Sequence, residues 1–340
     1  MSTAIAEKSL EKPVERITSA ASDTKALDNT RFASAPLFTQ LSRAVHDASH
    51  RHGAPQSVAE ISITPTGGGV GGVVRNLDAN RPLSAALVSH LQQALDEHGI
   101  LIFKQQRLAD EALLAFSTYF GPVFHSPADV PVLGSSDHGG TAPDVVPVAN
   151  VEGGYTGHGE LLPHTDHQWT PLPSAASLLY AVEVPAQGGD TTWYNLAQAY
   201  ADLDADTRAR IDTLQLITYN PFVRTAGQKR PLYRTPDIAP LGHAFPHPLV
   251  RTHPRSGKKI LFLATHSEVE LVGVAPEVGV ALIAFLRAHI QQPKYQYTHR
   301  WEVGDIVHWD NQATLHARTA FDANDKRVLK RVSLAGARPF

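Results

Sequence analysis

The sequence predicts a mainly β domain with flanking helices, an antiparallel sandwich or jelly roll, on three observations. Short strand-like runs recur from residue 60 to the C-terminus. Helical patterns interrupt them in only a few places. No regular alternation of strand and crossover helix marks a parallel sheet.

Taken in order, residues 1–55 read as a mobile N-terminal extension. Its first 30 residues hold no aromatic side chain and many Ala, Ser, Lys and Glu, and a second soft stretch, "ASHRHGAPQS", closes it. The strand-like "EISITP" follows. In "TPTGGGVGGVV", Gly67, Gly69 and Gly72 satisfy the spacing G-x-G-x-x-G. A dinucleotide site needs a helix to open there; the polar "VVRNLDANRPLS" that follows predicts glycine turns between short strands instead. Apolar residues at Leu83, Leu87, Val88, Leu91 and Leu95, with Gly99 behind them, predict an amphipathic helix with a glycine stop. "ILIF" (100–103) reads as a buried strand. Asp110 is placed to cap a second helix, "EALLAFSTYF", ended by Gly121. Strands are then expected at 176–184, 214–219, 259–265, 295–301, 305–310 and 331–336, with helical insertions at Asn195–Asp212 and Pro276–His289. With no repeat and no linker after residue 60, residues 56–340 form one domain.

Composition narrows the function classes. The chain has 340 residues, 42% hydrophobic and 19% charged, an ordinary globular balance. A formal net charge of −3 offers no electrostatic footprint for nucleic acid or an anionic membrane surface. No apolar run approaches the roughly 20 residues that span a bilayer, and the N-terminus has no secretory apolar core. A cytoplasmic setting is expected. Without cysteine there is no disulfide, no thiolate ligand and no thiol nucleophile. A metal site must use His, Asp and Glu, which suits iron, manganese or zinc.

Four His-x-Asp/Glu pairs occur: His158/Glu160, His164/Asp166, His266/Glu268 and His308/Asp310. The spacing alone does not choose among them. Two residues apart on a strand share a face, so any pair could give two metal ligands. An oxygenase-type iron site needs two histidines and a carboxylate on one side of the metal, with the other side open. His167 is a rival ligand only if the chain turns over at Asp166.

The surroundings of one pair are specific. From about Ile61 to the C-terminus the chain resembles the taurine dioxygenase / 2,4-dichlorophenoxyacetate dioxygenase family of Fe(II)- and 2-oxoglutarate-dependent oxygenases. "TPTGGGVGGVVRNLDANRPLS" is similar to the family's opening, His164 and Asp166 match its His-x-Asp, and Thr191 of "GGDTTW" matches its cosubstrate threonine. "HWDNQATLH" matches the W-D-N segment that ends in the distal ligand, here His316, and Arg327 and Arg331 meet the following H-x10-R-x3-R. The resemblance implies a double-stranded β-helix (jelly roll) with His164, Asp166 and His316 on Fe(II). It implies Arg327 and Thr191 on the far carboxylate of 2-oxoglutarate, with O2 as second cosubstrate. Arg331 would lie near the cosubstrate or an acidic group of the substrate, Trp309 near the metal, and His125 against the substrate.

Two departures bear on substrate. The taurine enzyme has a tyrosine where this chain has Ala128 and an asparagine where it has Glu160, so taurine itself is not expected. The implied activity is oxidation, by default hydroxylation, of a C–H bond in a small organic acid, yielding succinate and CO2. No nucleic-acid or membrane partner is expected, and a homo-oligomer is compatible with the sequence. A zinc hydrolase on a similar barrel would leave the Arg327/Thr191 pair without use; a non-catalytic jelly-roll binding protein would form no succinate.

Overall fold

The computed structural model describes residues 53–135, 142–223, 231–235 and 244–340. Most of the N-terminal extension, residues 1–52, therefore lies outside the described residues. At its end Gln56 is fully buried, donating to Asp78 O and accepting from Asp78 N.

The glycine-rich segment is a hairpin between β1 (Ser62–Pro65) and β2 (Gly72–Arg75), with no helix opening after it. Gly69 is required there: a side chain would strike the backbone at Lys294–Tyr295, and its N–H donates to Gln296 O at 2.9 Å. Helix α1 (Ala85–His98) begins at Ser84, whose hydroxyl accepts from Leu87 N, and stops at Gly99 with φ 72°. Strand β3 (Ile100–Phe103) follows as expected.

Helix α2 (Asp110–Ser117) differs from the expectation. Ala109 holds the cap position without a side-chain bond, and Asp110 is the first helical residue, ion-paired with Lys330. An acidic group suits the positive end of the helix there. The helix stops four residues before Gly121, where Ser117 and Thr118 turn their hydroxyls back onto Leu113 and Ala115 carbonyls.

Next come β4 (Val146–Ala149), β5 (Leu161–His164), β6 (Ala176–Glu183) and β7 (Thr191–Asn195). The first helical insertion is two helices, α3 (Leu196–Ala201) and α4 (Ala205–Ile211), each capped by an Asx side chain, Asn195 and Asp204. Short strands β8 (Gln215–Thr218), β9 (Pro246–Pro248), β10 (Val250–Thr252), β11 (Lys259–Leu261) and β12 (Val269–Leu271) lead to α5 (Pro276–Ile290). The chain closes with β13 (Gln296–His299), β14 (Ile306–Asp310), β15 (Thr314–Arg318) and β16 (Val328–Leu334).

Eleven of these strands form two sheets, while β10-β11 and β12-β8-β9 pair separately. One runs β1-β2-β3-β14-β6-β16-β4 and the other β13-β7-β15-β5; the only parallel pair within them is β2 with β3. Period-two alternation then sorts the side chains into layers. Leu101, Phe103, Leu178, Tyr180, Ile306 and Val332 face α1 and α2. Ile102, Leu179, Val307, Trp309 and Leu329 face inward, where Trp309 meets Trp193 of the smaller sheet at 6.1 Å between ring centroids. Tyr194 and Leu315, on the outer face of the smaller sheet, pack with α3, α5 and β8–β12. The space between the sheets is thus lined by alternate residues of β5, β7, β14, β15 and β16.

Gly279 of α5 tests the packing of the outer layer. A Cβ there would run into the Tyr233 hydroxyl, which accepts from Leu271 N. Gly279→Ala should lower stability by about 1–3 kcal/mol through overpacking, although alanine is the better helix former. Urea unfolding measures it; a neutral or positive effect would show that Tyr233 moves aside freely.

Candidate active site

Strand β15 pairs with β5 so that His316 and His164 are Cα partners, and their rings lie 4.2 Å apart. Asp166 joins them from just beyond β5. His164 Nε2 is 3.8 Å from Asp166 Oδ1 and His316 Nε2 is 3.9 Å from Asp166 Oδ2, both beyond hydrogen-bond reach. One ligand atom from each lies within 4.8 Å of the others, so the three can hold a metal ion. His164 Nδ1 donates to Leu162 O at 2.7 Å, which leaves Nε2 as the nitrogen available to a metal. Burial, helped by nearby His164 and Arg331, lowers the His316 pKa to about 3 against the pull of Asp166, so this ring is neutral. Burial opposes ionisation of Asp166, but Arg331 foremost and the three neighbouring histidines outweigh it, holding the carboxyl well below the usual range. Two imidazoles and a carboxylate form a donor set that suits Fe(II).

Asp166 does not share a strand face with His164, contrary to the sequence expectation. The strand ends at His164, and Asp166 opens the turn that follows. Its position comes from Asn311, in the β14–β15 turn. The Asn311 amide accepts from Asp166 N at 3.0 Å and donates to Asp166 O at 2.8 Å and Ser174 O at 3.0 Å. The chain reverses at His167, φ 59°, whose ring stacks on Phe124 and contacts Ser174 Oγ at 2.9 Å. His167 is thereby turned away from the ligand group. The buried Arg331 donates from Nη1 to Asp166 Oδ2 at 2.9 Å.

Beside this group the sheets enclose a cavity of about 490 Å³, lined among others by Thr191, Trp309, Arg318, Arg327 and Arg331. Arg327 is 2% exposed and has no ion pair among the described residues. Its Nε donates to Gly189 O at 3.0 Å and its Nη2 reaches Thr191 Oγ1 at 3.5 Å, while Trp301 Nε1 donates to the same hydroxyl at 2.9 Å. Burial, and secondarily Arg318, lower the Arg327 pKa to about 9, with Asp190 pulling the other way. A buried guanidinium without a counter-ion is a receptor for an anion. Trp309 is buried in the wall with its ring 4.9 Å from that of His316.

The other sequence candidates are placed elsewhere. His125 is outside this cavity, in a small adjoining recess, 3.8 Å from Asp144. His308 points to the helix side of β14 and packs on Phe120, because alternation gives the inward face to Trp309. His266 lines the cavity but bonds Thr265 Oγ1, and Glu268 pairs with Arg234 at 3.1 Å. A second gathering, Asp96, His253 and Asp310, is closed: His253 Nδ1 accepts from Ser256 N, so Nε2 carries the proton given to Asp310, and Arg255 forks onto Asp96.

The family called Taurine catabolism dioxygenase TauD, TfdA family matches residues 62–333. The chain belongs to it. Among its relatives, the alpha-ketoglutarate-dependent sulfate ester dioxygenase of Pseudomonas putida is 30% identical over 300 residues, covering 84% of this chain and 93% of that protein. The alpha-ketoglutarate-dependent 2,4-dichlorophenoxyacetate dioxygenase of Cupriavidus pinatubonensis is 31% identical over 276 residues, 76% and 92% of the two chains. The crystal structure of a taurine dioxygenase from Burkholderia xenovorans superposes with a TM-score of 0.65 at 30% identity, covering 82% of this chain and 92% of that one. The chain is therefore a TauD/TfdA dioxygenase that uses Fe(II), with 2-oxoglutarate and O2 as cosubstrates.

Two residues of this TauD/TfdA site escaped the sequence reading. Asn311 was visible as part of W-D-N but without its role, which depends on a partner 145 residues away. Arg318 carried a weak signal: two positions after His316 on a strand, it must share that residue's face. Asn311→Ala should leave the fold intact and weaken Fe(II) binding about 10- to 100-fold, since the loop carrying Asp166 loses its tether. Anaerobic metal titration would show this, and undiminished affinity would mean that Arg331 alone fixes Asp166.

Proposed function

We propose that residues 56–340 form a double-stranded β-helix (jelly roll) in which His164, Asp166 and His316 bind Fe(II), and that the enzyme oxidises a C–H bond of a small organic acid. The observation that carries this reading is the unpaired Arg327 guanidinium opening into the same cavity as the three ligands. Bound Fe(II) with 2-oxoglutarate and O2 supplies the oxidising chemistry, with succinate and CO2 as coproducts. Arg327 and Thr191 receive the far carboxylate of 2-oxoglutarate and so fix its direction in the cavity. Trp309 and Leu179 give the same cavity an apolar wall. A zinc hydrolase would have no use for a buried Arg327.

The substrate reading rests on Arg331 and the cavity mouth. Arg331 gives Nη1 to Asp166, yet its buried Nε has no acceptor, leaving a donor for the C1 carboxylate of 2-oxoglutarate or for an anion of the substrate. The aromatic residues Tyr155, Trp169 and Phe222 line the same cavity and suit an apolar body attached to that anion. His125 would reach the substrate only through its recess, which Arg331 also lines. The relatives named for sulfate esters and for an aryloxyacetate support an acid of this kind. The cysteine-free composition suits a cytoplasmic enzyme.

Three experiments test this. Alanine at His164, Asp166 or His316 should abolish succinate release while far-UV circular dichroism stays native; His308→Ala should keep activity, and the reverse pattern would move the third ligand. Arg327→Ala should weaken 2-oxoglutarate binding by about 2–5 kcal/mol and Thr191→Ala by about 1–3 kcal/mol, measured by calorimetry. Unchanged binding in both would place the cosubstrate elsewhere. For the substrate, sulfate esters, sulfonates, phosphonates and aryloxy acids should stimulate succinate release above neutral analogues, and Arg331→Gln should remove that preference. A neutral best substrate, unaffected by Arg331→Gln, would refute the anionic reading.

A further inference from the structure

Arg318 is the cavity residue that this reading leaves without a task. It lies at the end of β15, directly opposite Thr191 of β7 in the strand register, two residues beyond His316. Directly paired residues project to the same face of a sheet, so Arg318 stands at the level of Thr191 rather than at the level of the metal ligands. The side chain is 5% exposed and forms no ion pair among the described residues. Its Nη2 donates to Gly159 O and its guanidinium lies over the Phe321 ring at 5.3 Å, but Nε and Nη1 are buried with no acceptor. Arg327 reaches the same Thr191 hydroxyl from β16's leading end. The two buried guanidiniums repel each other in the free protein, and an anion held between them would relieve both.

We propose that Arg318 and Arg327 together form a two-guanidinium receptor for the far carboxylate of 2-oxoglutarate, with Arg318 supplying a second set of N–H donors. This rests on the cosubstrate pocket proposed above. A carboxylate has two oxygens and about four lone-pair sites, enough to accept from both forks and from Thr191 at once. The register favours this over a contact to the primary substrate, because it pairs Arg318 with Thr191, two residues along the strand from the level of His164 and Trp193.

The test is calorimetric titration of Mn(II)-loaded protein without O2, using 2-oxoglutarate and, as a metal-chelating probe without a far carboxylate, oxalate. Arg318→Met should raise the 2-oxoglutarate Kd about 10- to 100-fold and leave oxalate unchanged. Arg318→Lys, which keeps the charge but loses the fork, should fall between, and carries the test if the methionine variant does not fold. Unchanged 2-oxoglutarate affinity in either folded variant would overturn the proposal, as would an equal loss for oxalate, which would make Arg318 a prop for the Gly159 loop. Arg327→Met separates the two readings. If it weakens 2-oxoglutarate while Arg318→Met does not, only the second guanidinium is refuted; if neither does, the pocket itself is misplaced.

Discussion

The carboxylate of Asp166 is buried, and burying a charge costs several kcal/mol unless it is compensated. Much of the site is arranged around that cost. Arg331 reaches it from β16, 165 residues along the chain, and His164 and His316 flank it from β5 and β15. Asn311 holds the backbone on which it sits. An ion bound at this point would meet a carboxylate already held ionised, and so in its binding form. The same arrangement ties four distant segments to one atom group, which is why no single stretch of sequence defines the site.

Alternation along the strands decides who takes part. In "IVHWD" of β14, two buried candidates are adjacent, His308 and Trp309, and the sheet sends them to opposite sides. His316 and Arg318 of β15 go the same way because they are two apart. The cavity is therefore a product of register, with chemistry at one level and unpaired cations at another.

Much of this was legible in the sequence where local chemistry is decisive. Ser84 and Gly99 bound α1 because a hydroxyl cap and a left-handed glycine are local signals, and the glycine hairpin followed from the same logic. The residues of the ordered motif from His164 to Arg331 meet at one cavity. Among the strands that escaped are three whose own residues argue against them: β5 contains Pro163, β15 reads "TLHAR", and β7 begins with two threonines before its aromatics. Each is held by its neighbours rather than by its propensity. Asp166 leaves its strand, Asp110 enters its helix, and Arg318 gains meaning only from Thr191 across the ladder. These outcomes depend on partners more than 100 residues away.

His308 has a consequence outside catalysis. Both its ring nitrogens are buried without a partner, and burial, with Arg255 adding to it against Asp310, lowers its pKa from 6.5 to about 3. The folded chain thus refuses a proton that the unfolded chain accepts. Below about pH 6.5 the unfolded state binds more protons at this position, so stability drains away as the medium is acidified toward pH 3. An imidazole packed against Phe120, on the far side of the sheet from the His164/Asp166/His316 cluster, thus ties acid stability to a residue outside the cavity.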